Sequence, residues 1–233
     1  MALNKTVFRT RAITAVVFAI VMLAGLFINK YSFIALCLII MAGCFYEFMK
    51  IGRAQGKRKY YLYVIAVPFY ILMPLMMLIM LGITATTNTE TGTTQVSYVY
   101  ILPCAVIISI WVNDTMAYIV GSFIGKTPFS KISPKKTWEG TIGGAVLCVI
   151  VIGALGYFLP ALQSIAFRHL LVIAAICAVF GTLGDLLESK IKRTAGIKDS
   201  GSFMPGHGGF LDRFDSLLIA TPFVWLYVQL FMR

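Results

Sequence analysis

Charge is what this sequence has least of. Only 12% of its 233 residues are Asp, Glu, Lys or Arg, against about a quarter in soluble globular chains. Acidic residues are scarcer than basic ones, nine against 20, and there are two histidines. No polar stretch is long enough for a separate soluble domain, so the net charge of +11 does not belong to a basic nucleic-acid-binding module, and no nucleic-acid partner is expected. The five cysteines (Cys37, Cys44, Cys104, Cys148 and Cys177) form no C-x-x-C pair and have no histidine at zinc-ligand spacing. All lie in apolar runs and read as small buried hydrophobes. There is no internal repeat.

Apolar residues take the place of charge. They make up 59% of the chain, and the mean hydropathy is +0.87. That is too much for one buried core, so a bilayer must solvate much of the surface. Seven runs approach the roughly 20 apolar residues that span a membrane: Ala12–Ile28, Tyr31–Met49, Tyr60–Leu81, Tyr98–Val120, Thr141–Leu159, Leu170–Leu187 and Phe214–Phe231. Backbone in lipid must satisfy its own hydrogen bonds, which predicts an all-α polytopic protein of about seven spans or more. Pro68 and Pro74 predict a kink or break in the third. The first run, preceded by Lys5, Arg9 and Arg11, reads as an uncleaved anchor rather than a leader.

With the N-terminus inside and the spans alternating, seventeen of the 20 basic residues fall in inside segments; Lys30, Arg168 and Arg233 fall outside. This asymmetry predicts a cytoplasmic N-terminus. Residues 1–110 then form N-terminal membrane helices. Residues 111–233 form a second membrane region with cytoplasmic loops at 121–140 and 188–213. The Thr-rich stretch Thr84–Ser97 reads as a solvated outside loop.

The acids are unevenly placed. Glu90 lies outside and Glu47 reads as a paired or snorkelling group, while Asp114, Glu139, Asp185, Glu188, Asp199, Asp212 and Asp215 all border the last two inside segments. A carboxylate within a span is costly and is a functional candidate by default. Asp185 and Glu188 are at i and i+3 near the end of span six; Asp212 and Asp215 repeat the spacing at the start of span seven. Residues three apart share a helix face, and two such faces converging make an oxygen-lined pocket suited to Mg²⁺. The intervening segment mixes Lys190, Lys192, Arg193 and Lys198 with Gly196, Gly201, Gly206, Gly208 and Gly209 just before a helix N-terminus, which suits a polyphosphate. His207 lies among these glycines. Ser133, Lys135, Lys136, Thr137 and Trp138 form a second basic, hydroxyl-bearing patch, with Trp138 as an interfacial anchor. Gly121, Gly125, Lys126 and Thr127 miss the Walker A spacing and follow no strand.

Three blocks resemble the phosphatidate cytidylyltransferase family: Trp111–Tyr118 with Gly121, Gly125 and Lys126; Ser133–Gly140; and Gly184–Ser189 through Lys192-Arg193 and Lys198-Asp199 to Pro205–Asp215. The resemblance begins near Trp111. It implies transfer of CMP from CTP to phosphatidate at the plasma membrane, with a divalent metal such as Mg²⁺ and room for a second, monovalent cation. It implies Asp185, Asp212 and Asp215 as metal ligands, with Lys198 joining them in catalysis. Substrate binding is carried over to Asp114, Ser133, Lys136, Thr137, Glu188, Ser189, Lys192, Arg193, Asp199, His207, Gly208, Gly209 and Arg213. A CTP-dependent isoprenoid lipid kinase or a CDP-archaeol synthase is a related alternative. The D-G-x-x-A-R pattern of CDP-alcohol phosphotransferases is absent. A transporter would need ionisable groups at the midplane, and here they cluster at helix ends. Gly143, Gly144, Gly153 and Gly156 permit close helix packing within one chain or between two, so a homodimer is a further expectation.

Overall fold

A computed structural model describes residues 5–87, 94–204 and 208–232, with backbone alone at 5–11, 85–87 and 94–95. Among the described residues eight α-helices run α1 (Lys5–Phe27), α2 (Lys30–Ala54), α3 (Lys57–Val67), α4 (Met73–Gly82), α5 (Ile101–Ile124), α6 (Trp138–Phe158), α7 (Phe167–Thr194) and α8 (Leu211–Phe231). Six helical runs among the described residues are long and apolar enough to cross a membrane, counting α3 through α4 as one; α1 adds the shorter apolar stretch Ala12–Phe27. The expected all-α polytopic class is the one observed.

Pro68 and Pro74 act as the sequence suggests. Neither has an N–H, so the carbonyls of Val64 and Tyr70 lose their usual i+4 donors. The chain responds with a π-helical turn, Pro68–Leu72, in which Met73 N–H donates to Pro68 O. The Thr-rich stretch departs from expectation. Its described residues form two antiparallel paired strands, β1 (Ile83–Thr87) and β2 (Thr94–Tyr98), in register from Ile83 opposite Tyr98 to Thr87 opposite Thr94. Threonine is β-branched as well as polar, and paired strands accept it readily. Thr84 Oγ1 and Ser97 Oγ meet across the ladder at 2.8 Å.

A core of large aliphatic and aromatic side chains, including Phe33, Ile40, Ile71, Leu78, Leu217 and Val224, joins α2, α4 and α8. The outward faces stay apolar: Ile39, Ile65 and Ile150 are more than half exposed. In water such a continuous surface would drive association; against lipid it is the normal exterior. The closest helix approaches are made by glycine. A Cβ on Gly144 would lie 2.6 Å from Ala117 Cα of α5, and one on Gly156 would lie 2.6 Å from Leu170 of α7. Gly143 faces Val120, Gly153 faces Leu171 and Gly140 faces Ala117 and Gly121, so all five glycines of α6 serve packing within the chain.

Candidate active site

Helices α5 to α8 end around one cavity of about 1020 Å³. Helix α7 is longer than the apolar run foretold. It continues to Thr194, so Glu188, Ser189, Lys192 and Arg193 are helical and the loop proper begins at Ala195. The Glu188–Lys192 pair, at i and i+4 with Nζ 2.5 Å from Oε2, supports these last turns. Gly184 lets α8 approach: a Cβ there would lie 2.5 Å from Asp215 O. The backbones therefore nearly touch where the carboxylates stand.

Asp185, Glu188 and Asp215 each offer an oxygen within 4.8 Å of the others. This differs in one member from the set Asp185, Asp212 and Asp215. The Asp212 carboxylate is engaged on both sides. Its Oδ2 accepts from Ser200 N–H (3.0 Å), Ser200 Oγ (3.0 Å) and Gly209 N–H (2.8 Å), and its Oδ1 accepts from Lys192 Nζ at 2.5 Å. Gly208 makes this turn feasible, with φ at +85° and no room for a Cβ beside Asp212 Oδ2. Glu188 is fully buried, and its Oε1 has no hydrogen-bond partner among the described residues.

Further site residues come from the segment between α5 and α6. Thr137 caps α6, its Oγ1 accepting from Gly140 N–H at 3.1 Å. Glu139 reaches back to the N–H groups of Lys126 (3.2 Å) and Thr127 (3.2 Å) and the Thr127 hydroxyl (2.8 Å). Phe129 packs edge-on against Trp138 with ring centroids 4.5 Å apart. The expected anchor tryptophan thus also clasps this loop. The loop delivers Lys136, which forms an ion pair with Asp185.

Most of the residues singled out in the sequence meet here. Asp114, Lys136, Thr137, Asp185, Lys192 and Lys198 line the cavity, and so do Asp199, Gly208, Asp212, Arg213 and Asp215. Glu188 and Ser189 lie buried behind the wall, Ser189 Oγ being 3.4 Å from Asp185 Oδ1. Gly209 contributes its N–H to Asp212. Two are not brought to the cavity. Ser133 uses its carbonyl in a turn with Lys136 N–H, and Arg193 is exposed, donating to Ile197 O at 3.1 Å to close the end of α7. His207 lies outside the described residues. Two residues were missed. Asn113, buried on the cavity wall, has an unpartnered Oδ1 among the described residues. Glu47 is the other: it is buried, and its Oε2 accepts from Ser200 Oγ and Leu211 N–H. The sequence signals were the Trp111–Tyr118 block around Asn113 and, for Glu47, a carboxylate placed inside the second apolar run.

The charges do not balance within the cluster. Asp185, Glu188, Asp212 and Asp215 meet Lys136 and Lys192, the two cations used in the three ion pairs among the described residues. Four carboxylates face two ammonium groups, at a place where an uncompensated buried charge costs several kcal/mol. The orphaned Glu188 Oε1 and the all-oxygen donor set fit a hard divalent cation such as Mg²⁺. Lys135, Lys198 and Arg213 also line the cavity, so anion-attracting and cation-attracting groups share one space.

The fold and the site together define a polytopic helical membrane protein that gathers carboxylates and basic groups around one helix-end cavity. Comparison then gives the family. The cytidylyltransferase family profile matches residues 71–231, and the chain belongs to that family. It is 44% identical over 138 residues to a phosphatidate cytidylyltransferase of Bacillus subtilis, covering 59% of this chain and 50% of that one. It is 47% identical over 114 residues to one of Staphylococcus saprophyticus (48% and 43% covered). It is 45% identical over 118 residues to the chloroplastic phosphatidate cytidylyltransferase 4 of Arabidopsis thaliana (50% and 29% covered). The chain spans half or less of the length of these relatives.

Proposed function

We propose that this protein is a phosphatidate cytidylyltransferase, converting CTP and phosphatidate to CDP-diacylglycerol and pyrophosphate. The observation that carries the reading is the shared cavity, with clustered carboxylates on α7 and α8 and with Lys135, Lys198 and Arg213 along its lining. A phosphate oxygen of phosphatidate forms a bond to the α-phosphorus of CTP. The bond from that phosphorus to the bridging oxygen of the β-phosphate breaks, and pyrophosphate leaves with the electron pair. Phosphatidate is already anionic near neutral pH, so no enzyme-bound intermediate is required.

In this scheme Lys198 and Arg213 draw in and orient the triphosphate, and Lys136 links the α5–α6 segment to Asp185. Asp185, Glu188 and Asp215 would hold Mg²⁺, with Asp212 fixing Lys192 beside them; when bound, the ion supplies charge neutralisation for the phosphates. In this reading the protein sits in the plasma membrane, and the excess of basic residues on the inside segments supports a cytoplasmic face for the cavity.

The test is pyrophosphate release by purified protein in detergent with CTP, Mg²⁺ and phosphatidate, run beside an isoprenoid alcohol and an archaeal ether-lipid phosphate. Release with phosphatidate and CTP is expected. Folded protein that releases none would end the reading, and turnover of the isoprenoid alcohol alone, read as CDP formed in place of pyrophosphate, would move it to the related kinase chemistry.

A further inference from the structure

We propose that Glu47, on α2, is a positioning residue that sets the loop beginning at Ala195 against the nucleotide; the inference rests on the reading above. Glu47 lies outside the residues matched by the family profile and is 4% exposed. No ion pair among the described residues includes it. A buried carboxylate without a cation is held by hydrogen bonds or not at all, and every bond shown to it comes from the loop or its exit. Oε2 accepts from Ser200 Oγ at 2.7 Å and from Leu211 N–H at 2.9 Å.

Leu211 is the first residue of α8, and the preceding Phe210 offers no side-chain cap. Glu47 therefore supplies, from another helix, the acceptor and negative charge that a helix N-terminus lacks. The loop also folds around the carboxylate: a Cβ at Gly201 or Gly209 would collide with its oxygens. The two hydrogen bonds pin both ends of the segment that presents Gly201, Ser202, Met204 and Gly208 to the cavity, with Lys198 and Asp199 just before it.

Ser200 transmits the effect. Its hydroxyl has one proton for two carboxylates and lies closer to Glu47 (2.7 Å) than to Asp212 (3.0 Å). Its backbone N–H holds Asp212 independently. Asp212 in turn holds Lys192. Glu47 thus reaches the acidic cluster through Ser200, Asp212 and Lys192 without touching substrate.

The experiment compares Glu47→Ala, Glu47→Gln, Ser200→Ala and the Glu47→Ala/Ser200→Ala double variant in the full chain in detergent. The expected result for Glu47→Ala is a rise of about tenfold in KM for CTP, with KM for phosphatidate unchanged. Glu47→Gln, whose amide oxygen can accept the same two bonds, should stay within about threefold of the parent. Ser200→Ala should shift in the same direction, and the double variant should be no worse than Glu47→Ala, as expected for residues acting through one contact. An unchanged KM for CTP, an equal rise for both substrates, additive losses, or a Gln variant as damaged as the Ala variant would each overturn the assignment. If Glu47→Ala does not fold, Ser200→Ala and Glu47→Gln decide by the same criteria. Amide hydrogen exchange across 198–211 gives a readout independent of turnover: faster exchange there and not in α5 or α6 is expected, and equal rates would refute the positioning role. An inert parent enzyme with a Glu47-dependent loop would count against the substrates and not against Glu47.

Discussion

At the scale of single residues, Asp212 makes the most specific demands. One of its oxygens accepts three hydrogen bonds and the other faces the Lys192 ammonium. An amide has a single acceptor oxygen, so in Asp212→Asn an NH2 group must oppose either the Ser200 and Gly209 donors or Lys192. We expect turnover to fall at least about 100-fold while the protein inserts and elutes normally from a sizing column; full activity would remove Asp212 from the site. Glu188→Gln tests the cation. It replaces the carboxylate whose Oε1 is left without a partner among the described residues, and the Mg²⁺ concentration for half-maximal activity should rise about tenfold. An unchanged Mg²⁺ requirement would place the ion elsewhere. The spacing of Asp185 with Glu188, and of Asp212 with Asp215, was legible in the sequence because a helix repeats its face every three to four residues. Which of the four meet was not, since that depends on how deeply α8 nests against α7.

Elements set that depth. Gly184 allows the α8 backbone to pass beside α7, and adding a methyl group there must push the helices apart. Overpacking of this kind costs about 1–3 kcal/mol; for Gly184→Ala we expect a lower melting temperature in detergent together with reduced turnover. Unchanged melting would mean that the contact has room to relax. Element type was readable wherever apolar runs were long, and the two prolines marked where the third span departs from a regular α-helix, though not that the departure is a π-helical turn. The paired strands Ile83–Thr87 and Thr94–Tyr98 escaped notice because threonine counts as polar in a hydropathy reading, while its branched Cβ favours a strand. Glu47 escaped for a different reason: Ser200, its partner, is 153 residues away, and no local pattern carries a contact of that range.

For the whole molecule, the basic segments, the cavity and the glycine-rich loop occupy one end of the bundle, and Pro160–Ser164 lies at the other. All five native cysteines are buried, so single introduced thiols should report cleanly. Lys131→Cys should react with a membrane-impermeant maleimide only after the membrane is opened, whereas Ser164→Cys should react from outside in intact cells. The reverse pattern would invert the orientation.

The length of α7 has one more consequence. Its 28 residues extend roughly 42 Å at 1.5 Å per residue, against a hydrocarbon slab about 30 Å thick. With Phe167 set at the outer boundary of that slab, Asp185 stands roughly 27 Å along the axis, near the opposite boundary and the glycerol and headgroup phosphates beyond it. A lipid drifting sideways in its own leaflet could therefore present its phosphate without being lifted from the membrane, leaving the water-soluble reactant to make the longer journey.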